Sequence, residues 1–392
     1  MNKTFLSSSV FYGFQFMGGS VIATYLTLYY SSIHLSTGQI GLVTAIGSVV
    51  MLASQPFWGT VGDRAKSKNR ILLILTVLCA STIWLLPLAG RNFALLIVAN
   101  IIFNFFLNAS GPMADTIVME LSHRDGFKFS TVRMIGSLGF ALMSALSGQV
   151  LAASIFLVFP LFSGLRTLAA GAIFAIPKVE GHAHNKPQAA RFMELFKDKK
   201  LLVLYAYALM LSITWNFFGS FWPVYAKETG VATGLIGIAM MIGSISQFPF
   251  MYVFDLVYKR FGIINLMLVS GLLYALRWLL FGVALGPASI MFLMAMHGMN
   301  FMVIYLCLTE YVGHYVPQAL QTRGQMANSL TLFGISSVIG NLAGGKLGET
   351  FGLGSVFIGS AVLCACAVGF LFVASKLVWR GKFTMLDGRS SS

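Results

Sequence analysis

Twelve long apolar runs set the first constraint on this chain. A bilayer-spanning helix needs about 20 predominantly apolar residues. Runs of that length occur near 6–30, 38–62, 70–89, 93–118, 131–152, 155–176, 201–225, 232–254, 263–284, 288–312, 326–347 and 354–378. In hydrocarbon every backbone polar group must be satisfied within the protein, so only helices or closed barrels can span, and runs this long are helices. Composition agrees: 10% of residues are charged, against about 25% in a soluble domain, and mean hydropathy is +0.82. The sequence predicts an all-α membrane protein with twelve transmembrane helices. The first run is long enough to span, so no cleavable signal peptide is expected.

The longest polar stretch, 177–200, separates the sixth run from the seventh. It predicts an N-terminal six-helix bundle at 1–176, a cytoplasmic linker at 177–200, a C-terminal six-helix bundle at 201–378 and a cytoplasmic tail at 379–392. Lys and Arg set the orientation. With the N-terminus cytoplasmic, inside segments hold twenty of the 26 basic residues, outside segments hold Arg91, Lys227 and Lys346, and Arg133, Arg166 and Arg277 fall within the membrane. Both termini are therefore expected on the cytoplasmic side of an inner or plasma membrane. The net charge of +14 follows this topology and does not mark a nucleic-acid partner. Cys79, Cys307, Cys364 and Cys366 lie in apolar runs without a paired framework, and His182 and His184 sit in the polar linker, so no disulfide scaffold or metal site is expected.

The two halves repeat one another. Thr37-Gly38-Gln39-Ile40-Gly41 with Gly47-Ser48 matches Thr233-Gly234-Leu235-Ile236-Gly237 with Gly243-Ser244 at an offset of 196, and Ser54-Gln55 with Asp63 matches Ser246-Gln247 with Asp255 at 192. Repeats of this kind belong to alternating-access transporters, whose substrate and coupling sites lie near the bilayer midplane. No nucleophile–base set or metal spacing suggests an enzyme, and no loop or tail is long enough for a receptor's signalling domain.

Lone charges in hydrocarbon are expensive and usually pair or line a wet cavity. Asp115 and Arg133, in consecutive runs, are expected to meet, either in a polar cavity or as a structural pair that pins two helices. Asn100, Asn104 and Asn108 recur every four residues and share one helix stripe. They line a substrate path or glue helices together, and Asn108 is carried as a substrate-binding candidate. Gln15 and Asn216 are further intramembrane candidates, and Arg166 has no evident partner.

Gly59-x-x-Gly62-Asp63-Arg64-x-x-x-Lys68-x-Arg70, after the second run, resembles the signature of the major facilitator superfamily between helices 2 and 3. Asp255 with Lys259, Arg260 and Gly262 is a degenerate echo in the second half. The resemblance implies that Gly59 and Gly62 allow close approach of helix ends, while Asp63, Arg64, Lys68, Arg70 and Asp255 act in cytoplasmic gating. It implies a fold of two pseudo-symmetric six-helix bundles, acting as a monomer with a small-molecule substrate and the lipid bilayer as its partners.

Within that superfamily the chain is similar to the lactose permease group, which includes oligosaccharide–proton symporters and a phenylpropionate permease. Asp115 and Arg133 fall on the group's helix-4 carboxylate and helix-5 arginine; Phe140 stands where a tryptophan stacks on the sugar ring. Arg277, His297 and Gln247 fall on the helix-9 arginine, the helix-10 histidine and a helix-8 amide, and Glu194-Leu195-Phe196 matches the start of the seventh-helix region. The departures are equally specific. Asn300 replaces the acid three places after the histidine, Ser244 replaces the helix-8 carboxylate, and the two helix-7 aspartates with their lysine partners become Asn216, Gly219, Leu332 and Met294. Arg277-Trp278 resembles the phenylpropionate branch. Counting Arg133 and Arg277 against Asp115, with His297 neutral, leaves one positive charge, which favours an aromatic or aliphatic carboxylate. A sugar or nucleoside stands as the alternative. The expected function is proton-coupled import of a small organic solute, with Asp115 or His297 carrying the proton and no cofactor besides it. Uncoupled facilitation and drug export are the other readings, the cavity arginines opposing cationic drugs.

Overall fold

A computed structural model describes residues 3–181, 195, 198–283 and 286–379. Glu194 and Phe196, His182 and His184, most of the predicted linker, the tail beyond Trp379 and the side chain of Asp255 lie outside the described residues. The described chain is helical and contains no strand. The first half holds α1 Lys3–Ser32, α2 Thr37–Arg64, α3 Lys68–Ala89, α4 Phe93–Asp125, α5 Phe129–Leu151 and α6 Ile155–Ile173, of which α2 to α6 are long and apolar enough to cross a membrane. In the second half α7 is Lys199–Glu228 and α8 begins as Thr233–Ile245 and resumes at Gln247. A break at Gly262 (φ 73°, ψ 163°) ends α8 and opens α9, which runs to Gly282. Then come α10 Pro287–Tyr315, α11 Arg323–Phe351 and α12 Leu353–Val378. At 1.5 Å rise per residue, the 30 residues of α1 exceed a hydrocarbon core of about 30 Å.

Local chemistry fixes the ends. Ser36 and Gln39 form a reciprocal capping box at the start of α2, which satisfies two of the helix's unpaired N–H groups. Asn92 and Asp198 accept from Leu95 N at 3.2 Å and Lys200 N at 2.9 Å to start α4 and α7. Gly126 ends α4 in the left-handed region (φ 73°), which a side chain would disfavour.

The chain forms two compact units, Met1–Pro187 with Val231–Met241, and Gln188–Gly230 with Ile242–Ser392. In the first, α1 packs on α5 and α6, α2 on α4, and α3 on α4 and α6. In the second, α7 packs on α11 and α12, while the 247–282 stretch packs on α10 and α12. The same pairing pattern thus recurs six helices later, as the sequence repeat requires. Small residues carry the closest approaches, as is general in membrane bundles: a Cβ at Gly139 of α5 would lie 3.1 Å from the Gly13 carbonyl of α1, and one at Gly340 of α11 would collide with the Ile213 carbonyl of α7.

Candidate functional site

In the first unit, Asp115 and Arg133 do meet. Arg133 Nη1 donates to Asp115 Oδ2 at 3.0 Å, and the Tyr12 hydroxyl donates to Asp115 Oδ1 at 2.5 Å. Three helices therefore converge on one carboxylate: α4 supplies Asp115, α5 Arg133 and α1 Tyr12. The close packing of Gly136 and Gly139 on α1 brings Arg133, one turn earlier, beside Tyr12. The Asp115 and Arg133 side chains stay 36% and 54% exposed, so an accepting and a donating group remain open to a solute. Phe140 lies seven residues after Arg133 on the same face of α5 and is half-buried. Tyr12 was not signalled by the sequence, because one tyrosine among thirteen reads as packing. Its spacing of three from Gln15, on one face of α1, was the available hint.

Gln15 sits one turn deeper and is buried. Its Nε2 donates to Ser110 Oγ at 3.1 Å, and its Oε1 accepts from Arg166 Nη1. Arg166, unplaced by the sequence, is thus a buried residue of the α1–α4–α6 interface. The asparagine stripe faces α2. Asn100 Nδ2 donates to the Val43 carbonyl at 2.9 Å and Asn108 Nδ2 to the Gly47 carbonyl at 3.3 Å, while Asn104 Nδ2 bonds Asn100 at 2.9 Å. This ladder holds α2 to α4, and the Asn108 amide is engaged in it.

The second unit buries its charge. Arg277 is 0% exposed; its Nε donates to the Leu293 carbonyl at 3.1 Å and its Nη2 lies 3.4 Å from His297 Nδ1. Its guanidinium lies over Phe218, Trp278 and Phe281 at 4.7, 4.8 and 5.1 Å. Arg277 Nη1 and both side-chain polar atoms of Asn300 are buried without a partner. Trp278 is core, with Nε1 donating to Thr214 Oγ1 at 2.9 Å. The half-buried ring nearest this cluster is Trp215, 4.5 Å from the His297 ring and stacked on Phe301 at 4.9 Å. Gln247 is half-buried where α8 is interrupted, and its backbone packs on Gly298, next to His297.

Asn216 has a different setting from its predicted one. The α11 backbone widens to a π turn over Leu330–Ile335, and Asn216 Nδ2 donates to the Leu332 carbonyl at 2.9 Å and to Ser336 Oγ at 3.0 Å. A π turn frees carbonyls from the α-helical ladder, and Asn216 supplies the missing donor.

At the signature loop, Gly62 presses on Met113 of α4, whereas Gly59 faces open space. Lys68 is buried and pairs with Glu120 at 3.3 Å. Asn69, absent from the predicted set, fastens the loop to the chain after α6: its Nδ2 donates to the Ile176 and Pro177 carbonyls at 3.1 Å each, and its Oδ1 accepts from Val179 N at 3.0 Å. Asp63, Arg64 and Arg70 are exposed. Among the described residues no group of three or more His, Cys, Asp or Glu is gathered as metal ligands.

Comparison with known proteins now adds to this geometry. The chain is similar to the maltose permease of Geobacillus stearothermophilus, 26% identical over 94% of this chain and 93% of that protein. It is also similar to the lactose permease of Citrobacter freundii, 27% identical over 62% and 64%. Among solved structures it resembles the nucleoside transporter NupG, with a TM-score of 0.82, 19% identity and coverage of 96% and 100%, a likeness of fold. The MFS_1 like family matches residues 5–359, and the chain belongs to that family: it is a major facilitator superfamily membrane transporter that resembles the lactose permease group.

Proposed function

We propose that this transporter imports a small neutral solute rich in hydroxyl groups, a sugar or a nucleoside, together with a proton, with both termini in the cytoplasm. One observation carries the reading: the open charges of the site balance. Asp115 and Arg133 are the half-exposed pair, whereas Arg277 is wholly enclosed by rings and a backbone carbonyl. The sequence's preference for a carboxylate rested on counting Arg277 as cavity charge. Without it the count is zero, and a neutral polyol suits one acceptor and one forked donor. Asp115 accepts from a hydroxyl, Arg133 donates to a ring or hydroxyl oxygen, and the half-buried Phe140 offers a face for an apolar ring surface. The relatives named as maltose and lactose permeases, and the nucleoside transporter that shares the fold, support the same class.

Asp115 carries the proton in this reading. Its two oxygens are held by Tyr12 and Arg133, and a solute or a change of state that draws these donors away leaves a carboxylate free to be protonated. His297, buried against Arg277 and Trp215, is the second coupling candidate. A carboxylate substrate is the competing reading, favoured by the unpartnered Nη1 of Arg277.

The test is uptake into proteoliposomes of a panel of sugars, nucleosides and aromatic or aliphatic carboxylates, with and without an inward-directed proton gradient. Accumulation of a sugar or nucleoside above its gradient-free level is expected. Uptake of carboxylates alone would overturn the neutral-solute reading, and uptake indifferent to the gradient would overturn proton coupling.

A further inference from the structure

The Asp115–Arg133 pair is joined by less than these two groups can offer one another. A guanidinium and a carboxylate commonly close into a fork of two parallel N–H···O bonds, because their donors and acceptors match in spacing. Among the described residues this pair makes a single bond, Arg133 Nη1 to Asp115 Oδ2 at 3.0 Å, and Arg133 Nε and Nη2 donate to no protein group. Crowding does not explain the open fork, since the Arg133 side chain is 54% exposed and has room to turn.

The other oxygen is taken. Tyr12 donates to Asp115 Oδ1 at 2.5 Å, a charge-assisted O–H···O⁻ bond of the short, strong kind. The phenol is also fixed in place. Tyr12 is 1% exposed; its ring stacks on Phe16 at 5.7 Å and meets Phe11 and Phe129 edge-on at 5.8 and 6.2 Å. Its backbone is held as well: a Cβ at Gly136 of α5 would stand 3.4 Å from the Tyr12 carbonyl and 3.1 Å from the Phe16 ring, so α5 lies directly against this turn of α1. A buried, fixed donor and an exposed, mobile one thus compete for one carboxylate, and the fixed donor keeps Oδ1.

We propose that Tyr12 is a positioning residue that holds the Asp115–Arg133 pair open. By occupying Oδ1 it stops the pair from closing on itself, and it leaves Arg133 Nε and Nη2 and the remaining lone pairs of Asp115 for a solute. Without the hydroxyl the fork closes, and a solute must break the closed pair before it can bind. The consequence for solute binding rests on the transport reading; the state of the fork does not.

The experiment compares wild type, Tyr12→Phe and Asp115→Asn as purified full-length protein in detergent. Phenylglyoxal attacks unpaired guanidinium groups, and its modification of Arg133 is followed by peptide mass spectrometry, with the exposed Arg91 as internal standard. One further bond in a half-exposed ion pair shifts an equilibrium by up to about fivefold. Tyr12→Phe is therefore expected to slow modification of Arg133 roughly two- to fivefold relative to Arg91, and Asp115→Asn to hasten it. A tyrosine that only packs helices predicts the opposite sign: its loss would loosen the pair, lower the melting temperature and expose Arg133. Unchanged or faster modification in Tyr12→Phe would overturn the proposal. In proteoliposomes, Tyr12→Phe is expected to raise the KM of the sugar or nucleoside that wild type accumulates by a similar factor. An unaltered KM beside a protected Arg133 would overturn the part played in solute binding. Should wild type take up neither class, the transport reading fails by itself, and the reactivity of Arg133 still decides whether Tyr12 holds the fork open.

Discussion

Asp115→Asn separates a transport role for the Asp115–Arg133 pair from a structural one, because the two roles predict opposite balances of stability and binding. The pair is 36% and 54% exposed, so its Coulomb attraction is screened by water and belongs to the surface regime of about 0–1 kcal/mol rather than the buried regime of about 3–5 kcal/mol. The amide of the variant retains an acceptor for the Tyr12 hydroxyl. That bond falls from the charge-assisted class, about 1.5–3 kcal/mol, towards an ordinary one near 1 kcal/mol. The structure therefore gives a total loss of about 1–2 kcal/mol, seen as a melting temperature lowered by a few degrees.

Binding should suffer far more. An Asn side chain cannot supply a charged acceptor to a hydroxyl, and loss of one such bond, about 1.5–3 kcal/mol, weakens affinity roughly 10–100-fold. The assay pairs thermal unfolding with equilibrium binding of whichever sugar or nucleoside the uptake panel selects, on wild type, Asp115→Asn and the double variant Asp115→Asn with Arg133→Gln. A stability loss of about 3–5 kcal/mol in the single variant, restored in the double, would show that the pair pins helices. Affinity left intact by Asp115→Asn would refute the binding role directly.

Three other outcomes follow from the geometry. Asn216→Leu strips the side-chain donor from the Leu332 carbonyl at the π turn; a loss of about 1–3 kcal/mol in unfolding stability is expected, and an unchanged melting temperature would show that the turn needs no such support. Gly298→Ala places a methyl against the Gln247 backbone, so α10 must move away from α8 at His297; overpacking of this kind costs about 1–3 kcal/mol, measured by thermal unfolding together with tryptophan fluorescence at Trp215. In a background with the exposed Cys366 replaced by Ala, Arg124→Cys should react with a membrane-impermeant maleimide only when the cytoplasmic face is accessible, and Arg91→Cys only from the opposite face; the reverse pattern would invert the topology.

The helices were legible because length and apolarity are what hydrocarbon demands, and the break at Gly262 falls where the sequence separates its eighth and ninth runs. The Asp115–Arg133 pair was legible for a related reason, since opposite charges in neighbouring spans have few other partners. Burial was not legible. In a soluble protein an apolar face points inward, but in a bilayer lipid-facing and core-facing surfaces are equally apolar, so sequence could not tell whether Arg277 lines water or is sealed by aromatic rings. Backbone partners leave no trace in the sequence either: Asn69 and Asn216 act on carbonyls at Ile176, Pro177 and Leu332, whose exposure depends on local geometry alone. For Asn100, Asn104 and Asn108 the sequence left a path and a helix clamp equally open, and the α2 carbonyls show the amides serving as a clamp.

Each of the three intramembrane arginines meets the cost of its charge differently, and the difference indicates what each can do. Arg133 has a carboxylate partner and stays half in solvent, so it can exchange that partner for a solute at modest cost. Arg277 has traded water for three aromatic faces, a carbonyl and a histidine; moving any of these would strand a buried charge, so it suits a role in holding His297 and the α9–α10 contact. Arg166 is buried with neutral partners, the Gln15 amide, the Ser110 hydroxyl and the Phe162 ring. Neutral hydrogen bonds orient a guanidinium without cancelling its charge, so Arg166 suits a fixed role in tying α6 to α1 and α4 and is ill placed to exchange partners.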